Sequence, residues 1–295
     1  MTKIITYIVF TIIQLFTFSC FAQQEPAFIF TSNHMNLINP AFASLDDESY
    51  IRSTINKQWS GVQFAPETQA ISFGTPLGNN LNLGLSIVND KTFVEKETFV
   101  GVDLSYKLQL DRFSDLYFGV KAGASNYNVN VAGLETYNVA ADPALSSISN
   151  FNPNVGIGVV YKINTFYVSL SVPKLLNTVH AKNNEGYAAL FSDTPHFYLG
   201  SGYDLILDDA NVFTLKPSVL FRYVNGAPLS IDLNTMLDYD NKFELGFLYR
   251  TSSVVALKAM IKISNRFYAG YGYEMGSAQL ASAGNSNEFF MQFKF

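Results

Sequence analysis

Residues 241–263 contain two adjoining segments in which apolar and polar side chains alternate at every second position. In the first segment, one face carries Phe243, Leu245, Phe247 and Tyr249, and the other carries Lys242, Glu244, Gly246 and Arg250. In the second, one face carries Val255, Leu257, Ala259, Ile261 and Ile263, and the other carries Ala256, Lys258, Met260 and Lys262. A period of two predicts β-strands with one apolar and one polar face. A soluble sandwich has the same pattern, so the environment must be decided from the rest of the chain.

The composition favours a surface that faces something other than water. Of the 295 residues, 15% are aromatic and only 15% are charged, whereas about 25% charged residues is usual for soluble domains. The formal net charge is −5, and the cationic side chains do not cluster into the basic stripe that nucleic-acid binding requires.

The amino terminus has the features of an export signal. Lys3 supplies a positive charge, residues 4–18 are mostly apolar, and Cys20-Phe21-Ala22 offers a cleavage site before Gln23. We therefore predict a secretory signal peptide over residues 1–22. A transmembrane anchor would need about 20 apolar residues, and the residues before Cys20 fit a lipoprotein site poorly. Cleavage after Ala22 would leave a mature chain without cysteine, and any membrane insertion beyond residue 22 must use strands.

After a leader at 23–49, alternation predicts an even number of strands. They are expected at 50–59, 68–75, 81–89, 97–109, 115–126, 154–163, 166–172, 195–207, 212–223, 229–237, two within 241–263, 266–274 and 287–295. Short turns are expected near residues 77, 111, 164, 209, 239 and 264, and long loops at 127–152 and 173–194 fall on the opposite side. The last strand alternates Phe289, Met291, Phe293 and Phe295 on one face.

Short turns at one rim and long loops at the other are typical of bacterial outer-membrane barrels. We therefore predict an all-β fold, a transmembrane antiparallel β-barrel of about 14 strands of the outer-membrane type. Its domains would be a signal peptide (1–22), a periplasmic N-terminal leader (23–49) and the barrel (50–295). A soluble β-protein is the alternative.

Charged residues recur on the polar faces of these strands and are expected to line the lumen. They are Arg52, Asp103, Lys107, Lys121, Lys216, Arg222, Asp232, Glu244, Arg250, Lys258, Lys262, Arg266 and Glu274. One interpretation is that these charges pair across the lumen and keep it hydrated. A more specific interpretation is that they form a channel selective for anions.

The sequence lacks the common catalytic and metal-binding patterns. His34, His180 and His196 are far apart, no glycine-rich phosphate loop is found, and no cysteine remains after cleavage. The acidic runs Asp208-Asp209 and 46–48 are interpreted as solvated turns. We predict no enzyme activity and no cofactor or metal. A lipase-like barrel would need His196 on the lipid face.

Several motifs resemble those of one membrane protein family. Asn39-Pro40-Ala41-Phe42-Ala43, Arg52, Gln58-Trp59-Ser60-Gly61 and Ala65-Pro66 resemble the opening signature of the PorP/SprF family. Later segments of the chain resemble other motifs of this family. These segments are Ser171-Val172-Pro173-Lys174-Leu175-Leu176, Leu215-Lys216-Pro217-Ser218 with Arg222, Ile231-Asp232-Leu233-Asn234, Gly246-Phe247-Leu248-Tyr249-Arg250 and Gly270-Tyr271-Gly272-Tyr273-Glu274. The resemblance covers nearly all of the mature chain.

The resemblance implies an outer-membrane protein of the Bacteroidetes type IX secretion system, placed there after Sec-dependent export. Its implied role is non-catalytic: it assists export or surface attachment of adhesin-type cargo with a C-terminal secretion signal, as in gliding motility. The implied partners are translocon or periplasmic ring subunits, a cargo protein and outer-membrane lipid. Asn39, Pro40, Arg52, Gln58, Trp59, Gly61 and Pro66 match the motif and are candidates either for partner binding or for building the first outer loop.

A diffusion channel for small solutes is the alternative function. Partner contacts would use loops 127–152 and 173–194 or the leader 23–49. Whether the leader plugs the barrel or hangs below it stays open at this stage.

Overall fold

In a computed structural model, the chain forms a closed antiparallel β-barrel. The structure describes residues 27–43, 45, 47–130, 148–181, 191–251, 254–275 and 284–295. Within them, the fourteen barrel strands are β1 (Tyr50–Lys57), β2 (Glu67–Gly78), β3 (Leu81–Thr92), β4 (Glu95–Gln109), β5 (Ser114–Val129), β6 (Ile148–Ile163), β7 (Phe166–Val172), β8 (His196–Tyr203), β9 (Phe213–Val224), β10 (Ser230–Tyr239), β11 (Phe243–Arg250), β12 (Val254–Lys262), β13 (Phe267–Met275) and β14 (Ser286–Lys294).

Each strand pairs with its neighbour along the chain, and the ring closes between the first and last strands. β1 and β14 pair from Tyr50↔Lys294 to Lys57↔Asn287, and β8 pairs with both β7 and β9. Closure is what lipid requires, because an unpaired strand edge leaves backbone N–H and C=O groups without partners. The predicted fold class is confirmed.

The two faces of the strands differ as the alternation predicted. On β4, Leu104 is 46% exposed on the outer face, whereas its neighbours Asp103 and Ser105 are 0% and 1% exposed on the inner face. On β14, Phe289 and Met291 point outward, and Phe290 between them is buried. The outer face is therefore apolar, as a lipid-facing surface must be. The inner face carries buried polar side chains together with apolar ones such as Phe290.

Short connections, the start of β1 and the carboxyl-terminal end of β14 lie at the same rim of the barrel. The turns at 79–80, 110–113, 164–165, 204–212, 240–242 and 263–266 join strands at this rim. The backbone N–H of Phe295 donates to the carbonyl of Ser49 there, at 3.1 Å. The strand ends that border the connections 130–147 and 173–195 lie at the opposite rim, here called the long-loop rim. Residues 131–147 and 182–190 of these connections lie outside the described part of the chain.

The predicted strand boundaries differ from the structure by up to a few residues on most strands, and two differences concern the expected long loops. Strands β5 and β6 extend into the expected loop 127–152, with Tyr127 opposite Asn150 and Asn128 opposite Ser149. Strands that continue beyond the lipid do not need apolar side chains on their outer face. The sequence of these polar residues therefore gave no alternation from which the strands could be predicted. Within the expected loop 173–194, Thr178–Ala181 pairs with Phe191–Asp193.

The acidic pair at residues 208–209 forms a turn. The Asp208 carboxylate accepts the backbone N–H groups of Phe213 at 2.6 Å and Val212 at 3.0 Å. These two hydrogen bonds lower the pKa of Asp208. Another short strand segment, Leu205–Ile206, pairs with β9 beside this turn.

The helical segments are short: Thr31–Asn33 and Pro40–Phe42 are 3₁₀ turns, and Met35–Ile38 is one α-helical turn. No helix in the described part of the chain has the length and apolar character to cross a membrane.

Candidate functional site: a plug inside the barrel

Residues 27–43, here called the plug, lie inside the ring of strands. Phe30 and Asn36 are 0% exposed, and Ile29, His34 and Ala41 are equally well covered. They contact the inner faces of strands on opposite sides of the ring, including β5, β12 and β14. This part of the predicted periplasmic leader therefore fills the lumen.

The Asn-Pro motif turns the plug and fixes it to the wall. The backbone of Asn39 is extended, as expected for a residue before proline. Its side-chain oxygen accepts the N–H of Ala41 at 2.9 Å, capping the turn Pro40–Phe42. Its amide donates to the carbonyls of Val159 on β6 at 3.3 Å and Leu170 on β7 at 3.5 Å. An Asn-Pro pair favours a turn, but the place of this turn in the lumen could not be predicted from the sequence.

One end of the plug is held by a buried glutamate. Glu288 on β14 is 0% exposed and accepts the consecutive N–H groups of Ile29 at 2.5 Å and Phe30 at 3.2 Å. It also accepts hydrogen bonds from Thr54 and Asn56 on β1. A carboxylate that accepts several donors can stay buried because its lone pairs are satisfied. Glu288 was absent from the residues predicted to line the lumen.

Lysines on facing strands bind the carbonyls of the plug. The Lys258 ammonium donates to the Ile29 carbonyl at 3.1 Å. The Lys121 ammonium donates to the carbonyls of Asn36 at 3.1 Å and Leu37 at 3.0 Å, and lies 3.4 Å from the Asp103 carboxylate. Both were predicted to lie in the lumen; their contact with a main chain could not be predicted.

The plug extends along almost the whole length of β1. The carbonyl of Ala27 accepts from Asn56 near the long-loop end of β1, at 3.3 Å. The carbonyl of Ala43 accepts from Tyr50 at the opposite end of β1, at 2.9 Å. Six residues of strand separate these two side chains, about 20 Å. A cavity of about 80 Å³ lies beside the plug, lined by residues that include Phe28, Ile38 and Phe99.

Glycines on the wall allow the plug to approach closely. A Cβ on Gly119 of β5 would fall on the backbone of Pro40 and Ala41. A Cβ on Gly84 of β3 would meet the Cβ of Ala43 at 3.1 Å. The wall and the plug are therefore matched in shape at these points, and a side chain at Gly119 would require the plug to move.

Other predicted lumen charges pair with one another. Asp232 on β10 binds Arg250 on β11 through two hydrogen bonds, at 2.8 and 3.0 Å, and lies 3.5 Å from Arg222 on β9. The Lys216 ammonium contacts the carboxylates of Asp238 at 2.7 Å and Glu244 at 2.8 Å.

Four more charged residues had been assigned to the lumen. Lys107 lies 2.9 Å from Asp47, which follows the plug. Lys262 lies 5.8 Å from the Tyr268 ring centre. Glu274 accepts a hydrogen bond from Ser286 at 3.4 Å, whereas Arg266 is exposed in the turn before β13.

The candidate motif residues after the plug lie at the two ends of β1. The Arg52 guanidinium stacks 3.8 Å from the Tyr50 ring centre and donates to Gln292 at 2.7 Å. At the long-loop rim, the N–H of Gln58 donates to the Pro66 carbonyl at 2.9 Å, closing the loop that contains Trp59 and Gly61. These contacts build the loop and the β1 wall and leave partner binding untested.

His196 lies on the lumen side of β8. It is buried, and its ring stacks with that of Tyr198 at 6.4 Å. A lipase-like site would need it on the lipid face, so the structure contradicts that arrangement. Among the described residues, no three His, Cys, Asp or Glu side chains are grouped to hold a metal ion.

A closed fourteen-strand barrel with an apolar outer face and a filled lumen is an outer-membrane β-barrel protein. Similar solved structures share this fold. The outer membrane protein Omp33 of Acinetobacter baumannii has a TM-score of 0.53 and 8% identity, covering 84% of this chain and 98% of that chain. A FadL homologue of Pseudomonas aeruginosa has a TM-score of 0.51 and 12% identity, covering 87% and 92%. The CymD monoaromatic hydrocarbon channel has a TM-score of 0.50 and 10% identity, covering 88% and 91%.

The family is shown by sequence. The model of the type IX secretion system membrane protein PorP/SprF family matches residues 20–293, and the chain belongs to that family. No functionally curated protein matches the sequence.

Proposed function

We propose that this protein is a non-catalytic component of the type IX secretion system in the outer membrane. It assists export or surface attachment of adhesin-type cargo proteins with a C-terminal secretion signal, including cargo used in gliding motility of Bacteroidetes. The observation that carries the proposal is the family match over residues 20–293. The signal peptide at 1–22 would direct it to Sec-dependent export.

The filled lumen supports this role over solute diffusion. A diffusion channel needs a continuous water-filled path, whereas the plug here hydrogen-bonds to opposite sides of the wall through Glu288 and Lys121. Partners are proposed to be translocon or periplasmic ring subunits and one cargo protein. Their contacts would use the long-loop rim, which carries the strand ends that border residues 130–147 and 173–195.

Deletion of the gene in the native host tests the proposal. We expect a protein with a C-terminal secretion signal to disappear from the cell surface or medium and to accumulate in the periplasm. Complementation with His196→Ala should restore export fully, because the proposed role includes no hydrolysis. Unchanged export of all such proteins in the deletion strain would contradict the proposal.

Purification of the tagged protein from native outer membranes in mild detergent identifies the partners. Co-purifying translocon subunits or one large cargo protein, found by mass spectrometry, is the expected result. The barrel alone, at native expression, would favour a solute channel.

A further inference from the structure

We propose that the lumen is a binding site for a second polypeptide segment, and that the plug is its resting occupant. The incoming segment would be uncharged, with small side chains where the wall carries glycine, and would bind after the plug leaves. This inference rests on the proposed function, in which the incoming segment belongs to a secreted protein.

Most hydrogen bonds between the wall and the plug involve main-chain atoms of the plug. Wall side chains contact many backbone atoms of the plug. The contacts include Glu288 to the N–H groups of Ile29 and Phe30, Asn56 to the Ala27 carbonyl, Lys258 to the Ile29 carbonyl, Lys121 to the carbonyls of Asn36 and Leu37, Ser171 to the Ile38 carbonyl at 2.8 Å, Ser105 to the Ala41 carbonyl at 3.2 Å, and Tyr50 to the Ala43 carbonyl. Every polypeptide offers these N–H and C=O groups. These hydrogen bonds do not depend on the side chains of the plug, so a peptide of a different sequence could form them. Side-chain packing, such as Phe30 against Phe290, adds contacts that do depend on sequence.

The plug carries no charge of its own to match the charges of the wall. Residues 27–43 contain no Lys, Arg, Asp or Glu. Lys121, Lys258 and Glu288 are buried around it and bind neutral amide groups. A charged side chain on an incoming segment would have to be buried among them, which is costly without a partner. This limits the occupant to uncharged segments.

The plug is also an imperfect occupant. Nε2 of His34 and both side-chain polar atoms of Asn36 are buried and find no hydrogen-bond partner among the described residues. Leaving such groups unpaired disfavours the seated state. A segment with apolar or small residues at these positions would avoid that penalty and could replace the plug.

A peptide-binding measurement on the purified full-length protein tests the inference. The probe is a fluorescein-labelled synthetic peptide with the sequence of residues 27–43. The protein carries Ile29→Asp and Phe30→Asp, which place two charges in the apolar cluster with Leu248 and Phe290 and expel the tethered plug without changing the wall. We expect saturable binding by fluorescence anisotropy to this variant and none to the wild type, whose own plug competes at a millimolar effective concentration.

Two controls establish that the lumen is the site. A peptide with Ala41→Trp has no room, because Ala41 is fully buried in a cluster with Tyr117 and Val160, and should bind at least tenfold more weakly. Adding Glu288→Gln to the protein removes a charged acceptor of two peptide N–H groups and should also weaken binding about tenfold or more. Equal binding of both peptides would overturn the inference.

A second measurement tests the inference if the Ile29→Asp/Phe30→Asp variant does not fold. Wild-type protein is refolded with the same peptide carrying a benzophenone in place of Phe42, at a peptide concentration above the millimolar effective concentration of the tethered plug. Photo-cross-links to the wall beside Tyr167, whose ring lies 5.5 Å from that of Phe42, are expected. Absence of wall cross-links, or absence of binding to a folded Ile29→Asp/Phe30→Asp variant, would overturn the inference. Neither measurement involves cargo. A negative peptide result would therefore not contradict the proposed role in secretion. Evidence against the secretion role would likewise not change a positive peptide result.

Discussion

Replacement of Glu288 with alanine should unseat the plug. The carboxylate accepts four buried donors, of which two, the N–H groups of Ile29 and Phe30, belong to the plug. A buried donor left unpaired costs about 1–3 kcal/mol. The two plug donors therefore weaken the seated state by about 2–6 kcal/mol, which raises the unseated fraction about 30-fold to about 20,000-fold.

Thiol labelling behind the plug measures this fraction. Ser72 on β2 is 1% exposed, and its hydroxyl lies 3.4 Å from Nδ1 of His34. In a Ser72→Cys background, the rate of reaction with a maleimide reports how often the plug leaves. Cys20 is the one other cysteine of the sequence and is replaced with serine.

Glu274→Ala is the matched control. Glu274 also faces the lumen, but its carboxylate accepts from Ser286 of the wall. We expect its labelling rate to stay within about threefold of the parent, while Glu288→Ala rises by 30-fold or more. Equal rates for the two variants would refute the account of how the plug is anchored.

Three further predictions concern pH, the wall and the lipid face. Burial, with a smaller effect of the positive charge on Arg52, lowers the pKa of His34 to about 3. Because an unseated His34 has a pKa of about 6.5, the free energy that holds the plug in place falls as the pH drops below that value, by about 2 kcal/mol at pH 5. Labelling of Ser72→Cys should therefore accelerate at low pH. His34→Gln should make the labelling rate much less dependent on pH. Asp232→Ala leaves Arg250 buried without its partner and should destabilise the barrel by about 3–5 kcal/mol in urea titrations; an unchanged midpoint would contradict this. Leu104→Lys on the outer face should cost about 2–4 kcal/mol in lipid, and no loss in vesicles would place Leu104 outside the bilayer core.

The barrel could be predicted from sequence because strand alternation is a local property. Phe289 and Met291 face outward around Phe290 as their spacing indicates, and the apolar outer face repeats this signal on most strands. Closure then follows from the membrane, since lipid leaves no partner for an open edge. The polar extensions of β5 and β6 gave no such signal.

The plug could not be predicted because its contacts join distant residues through main-chain atoms. Ile29 and Glu288 are 259 positions apart, and backbone N–H groups carry no sequence signature. Two features of the sequence nevertheless point to a plug: residues 27–43 are uncharged, and Gly119 lies on the lumen face of a strand. Together they indicate a segment that can be buried and a wall that can receive it.

Single-channel conductance of the wild-type protein in a planar bilayer tests the central claim most directly. The account predicts a closed barrel with rare, brief openings, and stable openings only when Glu288→Ala or an equivalent change unseats the plug. A stable open pore in the wild type would contradict a plugged secretion component and identify a channel for small solutes.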